Sequence, residues 1–280
     1  MHTVRLPDGE TVPALGQGTW MIGEDRSQRS REISALRTGI DLGMTLRDTA
    51  EMYGDGQSEE LIAEAIAGRR DSVFLVSKVY PHNASRNGVA EACARSLQRL
   101  GTDRIDLYLL HWRGGVPLEQ TVAGFERLKA DGKIRHWGVS NFDTDDMEDL
   151  MAAGGTACAV NQILYNIGRR GCEFDLLPWL GDHGIPIMAY SPVEQGRLPQ
   201  KGAAGAALAG VAARHQATPY QIALAWLLRR PETIVIPKAA DPAHVRDNRR
   251  AADIALDAAD LAAIDAAFPP PRRKTPLAML

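Results

Sequence analysis

The sequence predicts a (β/α)₈ barrel of the TIM type, with an N-terminal β-hairpin and a C-terminal helix and short tail. Eight short apolar runs alternate with stretches of helical period along the chain. Runs such as residues 73–76 and 105–110 are apolar at both parities, as expected for parallel strands covered on two faces. A doubly wound sheet usually has about five or six strands, so eight units in one order favour a closed barrel. Because no linker or low-complexity segment interrupts this order, we expect residues 1–280 to form one domain.

The predicted elements begin with a hairpin at residues 4–13, because a Pro-Asp-Gly turn at residues 7–9 supplies a preset φ and a glycine that tolerates positive φ. The eight predicted strands lie near residues 14–18, 44–48, 73–78, 105–110, 134–139, 157–162, 186–190 and 233–237. The predicted helices between and after them lie near residues 27–42, 58–67, 85–99, 119–131, 143–152, 173–183, 202–214, 219–229 and 241–250. A further helix near residues 257–267 and a tail over residues 269–280 complete the chain.

Helix start signals support several of these boundaries. Residues 218–221, Thr-Pro-Tyr-Gln, combine a capping-box spacing with proline at the first helical position, where a missing N–H costs nothing. Asp241 followed by Pro242 repeats this signature without the box. Ser58 lies where the N-cap of the second helix is expected.

The composition is that of a globular protein acting on a small molecule. Hydrophobic residues make up 45% and charged residues 24% of the chain, which allows a sizeable core. A net charge of -3 provides no field that would gather nucleic acid or an anionic membrane surface. The N-terminus lacks a signal-peptide pattern, and no apolar run is long enough to span a membrane. We therefore expect a cytoplasmic protein, monomeric, without a nucleic-acid or membrane partner.

Neither the cysteines nor the histidines predict a metal site. Cys93, Cys158 and Cys172 form no C-x-x-C pair and leave an odd number for disulfides, so we expect buried, neutral thiols. The seven histidines show no H-E-x-x-H or similar ligand spacing. We expect no metal.

Polar residues recur at the predicted strand ends, which in a (β/α)₈ barrel is where the site is built. These residues, in order of the strands that they follow, are Asp48 and Tyr53, Lys78, His111, Ser140 and Asn141, Gln162, Tyr190 and Ser191, and Lys238. Because the carboxyl ends of all eight strands meet at one mouth, the pattern predicts that these side chains converge there.

The first residues of this set suit proton transfer to a carbonyl oxygen. The Tyr53 phenol is a poor proton shuttle at neutral pH unless a cation such as Lys78 stabilises the phenolate. Asp48 would pair with Lys78 and offset the cost of a partly dry ammonium. His111 would hydrogen-bond the reacting oxygen from the other side. The aromatic residues that flank these positions would form the walls of a substrate pocket: Trp20, Tyr80 and Trp112.

Each of these residues also has an ordinary structural explanation. Asp48 alone could cap a turn, Lys78 could be a solvated strand end, and His111 could be a satisfied buried histidine. Trp20 and Trp112, taken singly, could belong to the core. The joint placement of the polar residues at consecutive strand ends is what favours a site.

The bare sequence does not identify a hydride donor, because no G-x-G-x-x-G follows a strand. It does offer a candidate phosphate site. Lys238 precedes the predicted helix start at Asp241, and that helix has His244, Arg246 and Asn248 in its first turns.

Short motifs along nearly the whole chain, in order, resemble those of the aldo-keto reductase family. They are Gly18-Thr19-Trp20, Asp48-Thr49-Ala50 with Tyr53-Gly54, Ser77-Lys78, Leu110-His111-Trp112, Gly138-Val139-Ser140-Asn141-Phe142, Asn161-Gln162, Ala189-Tyr190-Ser191-Pro192 and Ile236-Pro237-Lys238. The run at residues 175–179 and the ending at residues 274–277 are most similar to the bacterial YeaE-type methylglyoxal reductases of that family.

The resemblance implies a barrel that binds NADPH, with NADH possible, and reduces small aldehydes, ketones or dicarbonyls by direct hydride transfer. Tyr53 would be the proton donor, Asp48 and Lys78 its tuning pair, and His111 the residue that orients the carbonyl. Ser140, Asn141 and Gln162 would hold the nicotinamide carboxamide, and Tyr190 would stack on the ring. Further cofactor contacts would come from Gly18, Thr19, Trp20, Ser191, Val193, Gly196, Arg197, Ile236, Lys238, Ala239, His244, Arg246, Asp247 and Asn248.

Two departures from the family pattern modify these expectations. Much of the family has a serine after the lysine and an arginine six residues beyond it, where this chain has Ala239 and His244. The 2′-phosphate would then be held less firmly, although Arg246 could compensate. The tail from Pro269 is also short, which predicts a more open pocket.

Two other functions are compatible with the same fold. A nicotinamide-sensing binding protein, like the related potassium-channel β-subunits, would bind the cofactor with little turnover. A sugar-phosphate isomerase or lyase would act without nicotinamide, since fold alone does not fix chemistry.

Overall fold

The computed structural model describes residues 1–280 and shows an eight-stranded parallel sheet in chain order behind a two-stranded hairpin. The hairpin strands are β1 (Thr3–Arg5) and β2 (Thr11–Pro13). The sheet strands are β3 (Gln17–Gly18), β4 (Leu46–Asp48), β5 (Phe74–Val79), β6 (Ile105–Leu110), β7 (Ile134–Ser140), β8 (Cys158–Leu164), β9 (Ile187–Tyr190) and β10 (Thr233–Val235). Parallel bridges from Leu15 to Val235 and from Gly18 to Lys238 join the first strand to the last and close the barrel.

Helices follow the strands on the outside of this barrel. They are α1 (Arg29–Asp41), α2 (Gln57–Ala65), α3 (Arg86–Leu100), α4 (Leu118–Ala130), α5 (Thr144–Ala152), α6 (Leu176–Asp182), α7 (Gly202–Arg214), α8 (Pro219–Leu228), α9 (Pro242–Arg250) and α10 (Ala258–Ala267). No helix has the length and apolar character that crossing a membrane requires.

The core is formed where the strands face both the barrel interior and the helices. Every residue of β5, β6 and β8 is buried, so the apolar runs of both parities have the predicted two covered faces. On the outer layer, α8 is buried from Gln221 to Leu228. One apolar cluster therefore extends from the barrel interior into the helix layer and fixes the strand ends in place.

The N-terminal hairpin is tied to the early residues of β7, at the end of the barrel opposite the strand C-termini. Glu10 accepts two 2.8 Å hydrogen bonds from Arg135 and lies 2.6 Å from Nε2 of His136. The hairpin covers the closed end, so it does not obstruct the mouth.

The predicted barrel, hairpin and C-terminal helix are confirmed, and element boundaries differ by a few residues. The capping box of residues 218–221 and the Asp241 cap are present as predicted. The N-cap prediction for Ser58 is wrong, because Gly56 occupies that position and α2 begins at Gln57. Ser58 lies inside the helix, fully buried.

Candidate active site

The loop after β4 places an acid and a phenol together through a turn that is wound left-handed. Asp48 ends β4, and Tyr53 opens a 3₁₀ turn in which Gly54, Asp55 and Gly56 all have positive φ. Gly56 has φ of 92°, a conformation that favours glycine, and a Cβ there would lie 2.4 Å from Cδ of Arg99 and displace that side chain. The turn leaves the Tyr53 side chain only 9% exposed.

The Lys78 ammonium connects Asp48 and Tyr53. In the register of β4 and β5, Asp48 pairs with Val76, and Lys78 follows two residues later on the same face. Its ammonium lies 2.9 Å from the Asp48 carboxylate and 3.1 Å from the Tyr53 hydroxyl, and donates to the Thr49 carbonyl at 2.8 Å. A wholly buried lysine is thus satisfied by three oxygens.

The titration of Tyr53 and Lys78 follows from this burial and pairing. Burial raises the pKa of Tyr53, and the nearby ammonium of Lys78 offsets only part of that rise. Burial by itself lowers the pKa of Lys78, but Asp48 and the phenol hold it above its ordinary value. At neutral pH the phenol therefore keeps its proton beside a charged ammonium, which suits a proton donor better than a standing phenolate.

His111, at the end of β6, faces Tyr53 across the mouth. The two rings have centroids 5.8 Å apart in an edge arrangement. Burial, reinforced by the charge of Lys78, lowers the pKa of His111 to about 2. The imidazole is therefore neutral in the working range. Its Nδ1 has no hydrogen-bond partner, so no protein group assigns the tautomer.

The next strand ends bring amide groups and a second tyrosine to the same mouth. Asn141, which has φ of 60°, donates to the His111 carbonyl at 3.1 Å and accepts from the Tyr190 hydroxyl at 2.8 Å. Gln162 donates to Asp48 at 2.7 Å, so its amide N–H holds that carboxylate in place. Ser140 is buried beside Asn141, 3.2 Å away. Serine hydroxyl and primary amides supply both donors and acceptors, which is the chemistry that a carboxamide requires.

Of the three aromatic residues predicted to form pocket walls, Trp112 lines a groove beside His111. Trp112 lies 4.9 Å from His111 and 5.9 Å from Tyr80, measured between ring centroids. The groove has a volume of about 430 Å³ and is lined by Pro81, His82, Trp112, Gly115 and Val116. Trp20 lies on the first strand's loop and is 43% exposed. The sequence did not single out His82, which stacks on Tyr80 at 4.8 Å.

The loop after β9 combines backbone strain with side-chain anchors. Ser191, Glu194 and Gln195 all have positive φ, a conformation that non-glycine residues rarely adopt. Glu194 accepts from Asn166 at 2.8 Å and pairs with Arg169 at 2.8 Å. Val193 is half-buried in this loop, and Gly196 and Arg197 are exposed at its end.

The candidate phosphate site lies where β10 leads into α9. Lys238, His244 and Arg246 are exposed and have no salt-bridge partner, whereas Ile236 and Ala239 are buried. Asp247 and Asn248 are half-buried further along α9. Asp241 caps the helix and forms an ion pair with Arg31 of α1, a contact that the sequence pattern did not predict.

The C-terminal tail reaches the mouth despite its short length. Lys274 lies 3.0 Å from Asp145 and 3.2 Å from Asp175, which anchors the tail beside α5 and α6. Burial raises the pKa of Tyr190 to about 12, and a hydrogen bond from the backbone of Leu280 offsets part of that rise. The end of the tail therefore comes close to Tyr190, and the more open pocket inferred from the short tail stays a prediction.

The sequence pattern of the aldo/keto reductase family matches residues 14–268. The chain belongs to the aldo/keto reductase family. Methylglyoxal reductase YeaE of Escherichia coli K12 is 51% identical to it over 272 residues, which are 96% of each chain. The NADH-specific methylglyoxal reductase of the same strain is 31% identical and covers 89% of this chain and 93% of the relative. An aldo/keto reductase from Klebsiella pneumoniae, solved in complex with NADP and acetate, superposes with a TM-score of 0.96 at 50% identity, covering 99% of both chains.

In this aldo/keto reductase the side chains predicted to converge lie at one mouth: Asp48, Tyr53, Lys78, His111, Asn141 and Gln162. The family and fold inferred from the motifs are confirmed, while the roles of individual residues stay predictions. The three cysteines are free and buried, as expected. The contacts that the sequence missed join residues from distant strands and helices, and side-chain direction across such distances is not encoded in local pattern.

Proposed function

We propose that this aldo/keto reductase uses NADPH to reduce small aldehydes, ketones or dicarbonyls such as methylglyoxal. The observation that carries the proposal is the Lys78 ammonium, which lies 2.9 Å from Asp48 and 3.1 Å from the Tyr53 hydroxyl, opposite a neutral His111. Relatives named as methylglyoxal reductases and a structural neighbour solved with NADP support the substrate class and the cofactor.

The residues present fit a nicotinamide dinucleotide. Ser140, Asn141 and Gln162 supply the donors and acceptors of a carboxamide site, and the half-buried ring of Tyr190 lies beside them. Lys238 and the start of α9 offer positive charge to a phosphate. Because one relative is NADH-specific and His244 replaces a permanent cation, NADH use is compatible with this site.

The cofactor, when bound, supplies the hydride that adds to the carbonyl carbon. His111 donates a hydrogen bond that orients and polarises the carbonyl oxygen, since a neutral imidazole has one N–H. Tyr53 transfers its proton to the oxygen as negative charge develops there. Lys78 stabilises the phenolate that remains. Asp48 holds the ammonium of Lys78 in position, and Gln162 holds the carboxylate of Asp48.

Replacing Tyr53 by phenylalanine tests the proton donor. Tyr53→Phe is expected to lower kcat for methylglyoxal reduction by a factor of about 10² to 10⁴, the usual range for loss of general acid catalysis. NADPH binding, followed by quenching of cofactor fluorescence, should be retained because the lost hydroxyl is directed at the substrate. A variant with most of its turnover would overturn the assignment of Tyr53.

Tyr108→Phe is the matched control, because Tyr108 is another buried tyrosine and its hydroxyl has no hydrogen-bond partner. It should keep wild-type turnover. If the wild-type protein quenches NADPH fluorescence but oxidises no NADPH with methylglyoxal, an aromatic aldehyde or a sugar aldehyde, the nicotinamide-sensing function replaces the reductase.

A further inference from the structure

Three buried hydroxyl groups form a chain of hydrogen bonds that joins the loop after β3, the loop after β4 and helix α2. Thr49 donates to Ser58 at 3.1 Å, and Ser58 donates to the Thr19 hydroxyl at 2.8 Å. Thr19 in turn donates to the backbone carbonyl of Asp48 at 2.9 Å. All three side chains are fully buried and have no access to water. Each hydroxyl in this relay of hydrogen bonds therefore needs a partner from the protein.

The relay begins and ends on two consecutive residues that both touch the catalytic centre. Its last acceptor is the carbonyl of Asp48, whose carboxylate pairs with Lys78. Its first donor is the side chain of Thr49, whose own carbonyl accepts from the Lys78 ammonium at 2.8 Å. The position of the ammonium is therefore set from both sides by a peptide segment that Ser58 holds in place.

A second arm from the same helix reaches the strand that carries Lys78. Ser77 donates to Glu59 at 2.6 Å, and Glu59 is fully buried. Arg99 of α3 pairs with the same carboxylate at 2.5 Å and compensates its charge. Consecutive residues of α2, Ser58 and Glu59, thus hold the loop after β4 and the end of β5.

From this geometry we infer that Ser58 is a positioning residue for the catalytic ammonium, acting through Thr49 and Thr19. Without its hydroxyl, Thr49 has a buried donor with no acceptor and its peptide shifts to find one. The Thr49 carbonyl then moves relative to Lys78, and the ammonium stabilises the Tyr53 phenolate less well. The inference rests on the proposed function for its kinetic consequence, but the position of the ammonium can be measured without turnover.

The direction in which the pKa of Tyr53 should shift follows from the charges. Lys78 lowers the pKa of Tyr53 against the effect of burial, so a displaced ammonium allows that pKa to rise further. In Ser58→Ala the alkaline decline of kcat should therefore move to higher pH by about half a unit or more. At neutral pH kcat should fall about tenfold, with KM for methylglyoxal and Kd for NADPH within about twofold of wild type.

Thr49→Val provides a second route to the same broken bond, because valine has the shape of threonine without the hydroxyl. It should shift the pH profile in the same direction as Ser58→Ala. The double variant should be no worse than the more damaged single variant, since both remove one interaction. This second variant keeps the inference testable if Ser58→Ala folds poorly.

Thr121→Val is the matched control, because Thr121 is a buried helical hydroxyl that donates to the Ala84 carbonyl at 2.8 Å and has no link to Asp48. It should lower thermal stability about as much as Ser58→Ala and leave the pH profile unchanged. A purely structural role for Ser58 predicts that the two variants behave alike.

Titration of the Tyr53 phenol by difference absorbance, with Tyr53→Phe as the reference, separates this inference from the proposed function. If methylglyoxal is not reduced at all but Ser58→Ala still raises the pKa of Tyr53, only the proposed function fails. If the pKa of Tyr53 and the alkaline limb of kcat are both unmoved in Ser58→Ala and in Thr49→Val, the positioning role is wrong.

Discussion

At the scale of single residues, the site depends on an ammonium that has no access to water. Lys78 is fully buried, and an unpaired charge in that position would cost several kcal/mol. Asp48, the Thr49 carbonyl and the Tyr53 hydroxyl complete its hydrogen bonds, so the same contacts that allow Lys78 to be buried also direct its field at the phenol. His111 is the opposite case, because burial beside a cation keeps its imidazole neutral.

The neutrality of His111 predicts a pH response. With its pKa lowered to about 2, His111 does not titrate between about pH 5 and pH 8, so the hydrogen bond proposed from His111 to the carbonyl should be constant there. His111→Gln should lower kcat/KM for methylglyoxal about a hundredfold or more without changing the shape of the profile in this range. The measurement is kcat/KM against pH at saturating NADPH.

His82→Gln is the control for that profile, because His82 is another histidine near the site, exposed on the groove beside Trp112. A decline below pH 6.5 that disappears in His111→Gln but persists in His82→Gln would contradict a neutral His111.

At the scale of elements, α9 shows how a helix start can be both anchored and available. Its cap, Asp241, bonds the backbone N–H of Ala243 at 2.7 Å and is itself paired with Arg31. The ion pair thereby offsets the negative charge of Asp241 at the helix start, where a bound phosphate would require positive potential. Lys238, His244 and Arg246 have no salt-bridge partner and remain free to bind an anion.

A substitution on α9 tests whether this helix start reads the 2′-phosphate. His244→Arg should raise the preference for NADPH over NADH by roughly tenfold, because a permanent planar cation adds a charge-assisted hydrogen bond. Kd values for both cofactors, measured by fluorescence quenching, give the ratio. His183→Arg adds the same charge at the end of α6 and should leave the ratio unchanged. An unchanged ratio in His244→Arg would exclude contact between this position and the phosphate.

At the scale of the whole molecule, the barrel and the convergence of Asp48, Lys78 and His111 could be predicted because strand ends in a parallel barrel share one rim. Contacts between side chains of different elements could not be predicted from the sequence. Gln162 turns its amide toward Asp48, and the tail ends at Tyr190, because tertiary packing sets side-chain direction and chain path. Periodicity locates an element but does not orient the groups that it carries.

The anchoring of the tail predicts that the contribution of the tail to substrate binding depends on salt concentration. Lys274→Met removes the contacts with Asp145 and Asp175, so the last residues should lie less firmly on Tyr190. KM for methylglyoxal should rise roughly two- to fivefold at low salt, and the difference from wild type should shrink at about 1 M salt, where exposed pairs are screened.

Arg273→Met is the control for Lys274→Met, because Arg273 is a neighbouring exposed cation of the tail without an ion pair. It should leave KM unchanged. An equal KM in Lys274→Met and wild type at low salt would show that the tail does not shape the pocket.

The burial of Lys78 has a consequence for covalent chemistry at the site. An acylating reagent needs an accessible, unprotonated amine, and Lys78 offers neither, because it is fully buried and its pKa is raised by Asp48 and Tyr53. Lys238, at the candidate phosphate site, is exposed. Amine labelling of the folded protein should therefore modify Lys238 along with the other exposed lysines and leave Lys78 unmodified.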